Sequence, residues 1–146
     1  MKKLITKPHI FFLGLIPISI LLAYFFNSEG INIRYYGASL TVELKYIYYV
    51  AAFFFGLIGI NYFSIHWAKK TPKKGLTRIH IILQGFSFVL LITYNKWSWL
   101  QSAKNLNKDF VIDNSNLILF ISFILFLLAS IIHLFNFFFS LFSKSK

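Results

Sequence analysis

A chain of 146 residues that is 58% hydrophobic, 21% aromatic and only 13% charged lacks the polar surface of a soluble domain, which is about half apolar and about a quarter charged. It contains no cysteine, which excludes disulfides, iron–sulfur clusters and thiolate metal sites. Its net charge is +11, and where that charge sits decides what it is for.

Four apolar stretches follow one another. The first spans residues 9–26 behind Lys2, Lys3 and Lys7, with Pro8 in its first turn, where a missing amide costs nothing. Pro17 falls in mid-stretch and predicts a kink. The basic start and Ser28-Glu29-Gly30 imitate a signal peptide and its cleavage site, but the apolar core of about 18 residues exceeds the usual 7–15. The second stretch, residues 46–67, carries Ala52, Gly56 and Gly59, small residues on one side where a neighbouring helix can approach closely. The third covers residues 79–94. After a long polar loop, 95–116, which reads as a solvated connection, the fourth runs over residues 117–142. At about 1.5 Å per residue these segments reach roughly 24 to 39 Å, which matches a hydrocarbon core of about 30 Å. In lipid each backbone amide must be satisfied within its own segment, so the stretches are expected to be helical. They lack the two-residue alternation of barrel strands, and Trp67, Trp97 and Trp99 mark interfaces. The expected fold is all-α: an integral membrane bundle of four transmembrane helices, a single membrane domain over 1–146.

Charge placement sets the orientation. Lys2, Lys3, Lys7, Lys69, Lys70, Lys73, Lys74, Arg78, Lys144 and Lys146 make ten basic residues on one side of the four spans. The other side has five, Arg34, Lys45, Lys96, Lys104 and Lys108, together with all four acids, Glu29, Glu43, Asp109 and Asp113. Basic bias in short loops marks the cytoplasmic face, so both termini are expected there. Topology thus accounts for the positive charge without nucleic acid. The cluster Lys69, Lys70, Lys73, Lys74 and Arg78 is in addition a candidate contact for anionic lipid head groups.

Chemistry at depth in a membrane usually needs ionisable groups inside the spans. The acids all lie in outside loops, which leaves histidines. His9, His66 and His80 fall at the basic ends of three spans, whereas His133 is deeper, about 5–6 Å from its helix midpoint. His66 is roughly 14 Å from its own midpoint, so no second histidine matches the depth of His133 for haem ligation. His66 and His80 flank one tight loop and are expected near each other, but two ligands make an incomplete metal site. His133, His66 and His80 are therefore the cofactor-ligand candidates, set against structural roles for all of them, with no metal or cofactor expected. Little polar interior is expected among helices so rich in Phe, Ile and Leu.

From about Phe11 onward the chain resembles the last four helices of the catalytic subunit (subunit I) of haem–copper terminal oxidases. The likeness rests on Asn27-Ser28-Glu29-Gly30-Ile31-Asn32-Ile33, Tyr46-Ile47-Tyr48-Tyr49-Val50 with Phe55-Gly56-Leu57-Ile58-Gly59 and His66-Trp67, Thr77-Arg78-Ile79-His80-Ile81, and Phe123 through Phe135-Asn136 to Ser140-Leu141. The resemblance implies a ligand loop outside, in keeping with the charge count. It also implies a His-Phe-His on the second helix, where this chain reads Tyr46-Ile47-Tyr48. The family's magnesium-holding His-Asp would fall between Tyr35 and Ser39, and its Arg-Arg between Lys96 and Asn116; neither pair occurs there. The resemblance therefore implies a small degenerate homologue without the haem ligands.

The functional expectation is a non-catalytic membrane protein, a structural or accessory subunit of a respiratory-type membrane complex, contacting the lipid bilayer and other membrane subunits. The alternative is a haem- or metal-binding redox membrane protein using His133 or the His66/His80 pair. Richness in Phe, Ile, Asn and Lys suits an AT-rich genome and points to a bacterial inner membrane.

Overall fold

The computed structural model describes residues 7–27, 30–35, 38–96 and 114–142. Helix α1 is Pro8–Phe25, followed by strands β1, Gly30–Tyr35, and β2, Ala38–Glu43. Helices α2, Leu44–Trp67, α3, Lys74–Thr93, and α4, Asn114–Phe142, complete the order. All four helices are long and apolar enough to cross a membrane, and only 22% to 39% of each apolar window is buried. Large side chains such as Phe53, Ile60, Phe63, Phe120 and Phe135 face outward. Exposure on that scale in water would drive association; it suits a chain whose solvent is lipid.

Two features depart from expectation. Helix α3 begins at Lys74 rather than near residue 79, because its first turn, Lys74 to Arg78, is helical without being apolar. The first connection, which the resemblance rendered as an outside loop, holds an antiparallel hairpin. Its register pairs apolar positions with apolar ones, Ile31 with Val42, Ile33 with Leu40 and Tyr35 with Ala38. The alternating set, Gly30 with Glu43, Asn32 with Thr41 and Arg34 with Ser39, is polar or glycine. An isolated two-stranded ribbon is marginal in water, and Ile31 is buried.

The chain divides into two compact units: Met1–Thr77 with His133–Lys146, and Arg78–Ile132. The first is built on the pair α1 and α2. Buried positions recur at helical spacing, Phe12, Leu15, Ser19 and Ala23 on α1 and Tyr48, Ala51, Ala52, Phe55, Ile58, Tyr62 and Ile65 on α2. Phe12 stacks on Tyr62, with ring centroids 5.7 Å apart at 13°, and Phe26 lies 5.9 Å from Tyr48. These pairs run in opposite directions along the two helices, so α1 and α2 are antiparallel. A Cβ added at Gly59 would lie 2.9 Å from Leu13 Cδ2 and 3.5 Å from the Leu13 backbone nitrogen, whereas one at Gly56 would meet Ile16 Cδ1 at 3.7 Å. The closest approach is thus at Gly59; Gly56 has ordinary room and Ala52 is buried. Pro17 lies inside α1 and lacks the amide that would bond the Leu13 carbonyl.

Helix α2 ends in a Schellman turn. The Lys70 amide donates to the Ile65 carbonyl at 3.0 Å and the Lys69 amide to the His66 carbonyl at 3.0 Å. Lys69 takes the left-handed position with φ of 55°, a conformation that glycine adopts without the Cβ clash. Lys69→Gly should therefore raise the thermal midpoint of the detergent-solubilised protein, a gain of about 1 kcal/mol. Lys69→Val should lower it, and thermal unfolding of the three proteins side by side checks both signs.

In the second unit, α3 and α4 are joined by a reciprocal clamp. Ser87 Oγ donates to the Ser122 carbonyl at 2.8 Å, and Ser122 Oγ donates to the Ser87 carbonyl at 2.8 Å. Ala129 is fully buried on the same side of α4. Small hydroxyl residues let backbones approach and supply hydrogen bonds where lipid offers none.

Candidate functional site

Nine polar residues of the described segments are buried: Ser19, Thr77, His80, Gln84, Ser87, Ser122, His133, Asn136 and Ser140. This corrects the expectation of an interior with little polarity. On α4 the spacing explains it. Ser122, Ala129, His133, Asn136 and Ser140 recur every three, four or seven residues, so they fall on one helix face.

The densest cluster lies in the first unit, around Asn136, which is 0% exposed. Its Oδ1 accepts from the Lys73 backbone amide at 3.0 Å. Its Nδ2 donates to Thr77 Oγ1 at 2.9 Å and to the Tyr62 hydroxyl at 3.4 Å. Thr77 Oγ1 in turn donates to the Lys73 carbonyl at 3.1 Å, and Ser140 Oγ donates to the Asn136 carbonyl at 2.6 Å. Both amide hydrogens and the amide oxygen of Asn136 are therefore used. One side chain on α4 ties together α2, the short loop after it and the first turn of α3.

One turn earlier on α4, the His133 ring packs against Tyr62, with centroids 4.7 Å apart, and Asn61 Nδ2 lies 3.3 Å from His133 Nε2. When that amide donates, Nε2 accepts and the ring proton sits on Nδ1. The loop lysines close the cluster from outside. The Lys70 ammonium donates to the Leu141 carbonyl, one of the carbonyls that the end of α4 leaves without an intrahelical partner. The Lys73 ammonium lies 4.3 Å from the centroid of the Phe139 ring. Two of the five basic residues named for lipid head groups thus hold the end of α4, while Lys69, Lys74 and Arg78 remain exposed.

The other three histidines divide between the two units. His66 is exposed and its ring neighbour is His9, with centroids 5.4 Å apart and planes at 26°. His9 also meets Phe63 edge-on at 5.9 Å. His80 is fully buried in the second unit. Of the two tyrosines that the resemblance would set at ligand positions, Tyr46 is exposed, with the Lys45 ammonium 5.1 Å from its ring. Tyr48 is fully buried. Among the described residues no three His, Cys, Asp or Glu side chains come together as a metal site.

What this arrangement can do follows from its groups. Amides, hydroxyls and one imidazole supply neutral donors and acceptors, and the contacts they make here join helix to helix. Sequence reasoning missed Asn61, Tyr62, Thr77 and Asn136. The available signal was an asparagine inside each of two apolar spans, an expensive placement that asks for a partner. No family model matches this chain, and neither a curated protein nor a solved structure matches it.

Proposed function

We propose that this chain is an integral membrane protein that acts as a non-catalytic structural or accessory subunit, with both termini on the cytoplasmic side of a bacterial inner membrane. The observation that carries the reading is the use of Asn136: every polar atom of its side chain serves to join helices. Outward, the helices offer apolar and aromatic faces over most of their length, a surface suited to lipid and to the helices of neighbouring subunits. The resemblance to the oxidase catalytic subunit supports a respiratory-type complex as the assembly. Its ligand positions, Tyr46 and Tyr48, support a scaffold without the haem chemistry. Lys69, Lys74 and Arg78 add exposed charge for anionic head groups.

The second reading, a haem- or metal-binding redox protein, draws on the stacked pair of His9 and His66 and on His133. One preparation separates the two. Purified from its native membrane in mild detergent, the chain should bring other membrane proteins with it in fixed ratio and show no Soret band. A chain recovered alone, with a Soret band that disappears in His133→Ala or His66→Ala, would replace the first reading with the second.

A further inference from the structure

Gln84 is a buried polar side chain that the ties described above do not absorb. It is 0% exposed, and among the described residues neither its amide nitrogen nor its amide oxygen has a hydrogen-bond partner. It stands one residue from the midpoint of the apolar span Lys74–Lys96, the depth at which a dry, unpaired amide costs most. Its neighbours along the same face of α3 are polar as well: His80 one turn before it and Ser87 one turn after it, both buried. Ser87 is held by the reciprocal clamp with Ser122, which fixes α3 against α4 one turn from the amide.

We propose that the second unit binds internal water at Gln84, forming a hydrated site at mid-membrane depth on the polar face of α3. The chemistry selects the ligand. No Asp, Glu, Lys or Arg occurs from Ile79 to Asn95 or from Leu117 to Phe142, so nothing in these spans balances the charge of a bound ion. A neutral molecule that both donates and accepts matches an amide with two donors and an acceptor to satisfy, and water is the smallest such molecule. Water bound there reaches toward the turns that carry His80 and Ser87, and so makes this face a polar track within an apolar helix. The proposal rests on the membrane reading above.

The test uses the full chain in lipid bilayers with glutamine side-chain nitrogens labelled. Gln84 and Gln101 are the two glutamines, so Gln101→Asn leaves the Gln84 signal alone. Solid-state NMR transfer from water protons should reach the Gln84 side-chain amide at short mixing times, before it reaches the outward-facing methyl groups of Val89. Gln84→Met, which keeps the length of the side chain and removes the amide, should lower the thermal midpoint, since bound water has already satisfied the wild-type amide. Absence of water transfer to Gln84, or a midpoint that rises in Gln84→Met because a dry amide has been removed, overturns the site. Equally fast transfer to Val89 overturns instead the membrane reading beneath it.

Discussion

Asn136→Ala is expected to destabilise the protein by about 2–3 kcal/mol, more than any other single polar truncation in the first unit. The substitution removes three hydrogen bonds at once and leaves the Lys73 amide and the Tyr62 and Thr77 hydroxyls without the group that joined them. A hydrogen bond between membrane helices contributes only about 0.6 kcal/mol on average. The larger effect expected here comes from one substitution loosening three elements at once, with polar groups inside the cluster left short of a partner, rather than from any single bond. Thermal or denaturant unfolding in detergent, with Ser64→Ala as the control, measures it. Ser64 Oγ bonds only the Ile60 carbonyl of its own helix at an exposed position, so its loss should stay within about 0.5 kcal/mol. Equal effects at the two sites would mean that the Asn136 cluster does not hold the helices together.

The second large effect is steric. Gly59→Leu should cost about 1–3 kcal/mol or prevent α1 from packing on α2, because even a Cβ at this position lies 2.9 Å from Leu13 Cδ2 and the Leu13 backbone is 3.5 Å away. Gly59→Ala should be milder, since the Leu13 side chain is 40% exposed and free to swing outward. Gly56→Ala should go the other way. Its Cβ meets Ile16 at an ordinary 3.7 Å, and replacing glycine within a helix gains up to about 1 kcal/mol. Folded yield by size-exclusion chromatography and the unfolding midpoint of the three variants together read out this order. A Gly59→Leu protein as stable as Gly56→Ala would place the close approach elsewhere.

How much of this was legible in the sequence depends on which physical signal each feature leaves. The four helices were legible because uninterrupted apolar runs of this length suit little else in a chain with so few charges. The start of α3 was not, because Lys74, Gly75, Thr77 and Arg78 belong to the helix without belonging to its apolar run. The hairpin had a signal, strict alternation through Gly30-Ile31-Asn32-Ile33-Arg34-Tyr35 and again through Ala38 to Glu43. A reading by apolar runs passes over it, since no two apolar residues stand together until Tyr35-Tyr36. Asn61, Gln84 and Asn136 were visible as polar residues inside apolar spans. That Asn136 closes a cluster while Gln84 has no partner among the described residues depends on which helix faces which, and no spacing within one helix contains that information. The same limit governs His66. Its ring neighbour, His9, follows from the antiparallel packing of α1 on α2.

The account as a whole stands on the four-span arrangement with both ends inside, and single-cysteine labelling tests that arrangement directly in a chain with no cysteine of its own. Cysteines placed one at a time at Thr71, an exposed position in the loop between α2 and α3, and at Ser145 should be protected from a membrane-impermeant thiol reagent in intact cells. One placed at Ser102, between the third and fourth spans, should label. Labelling at Thr71 and Ser145 with protection at Ser102 would invert the protein against its ten-to-five basic bias, and labelling at all three would contradict the membrane-spanning account altogether.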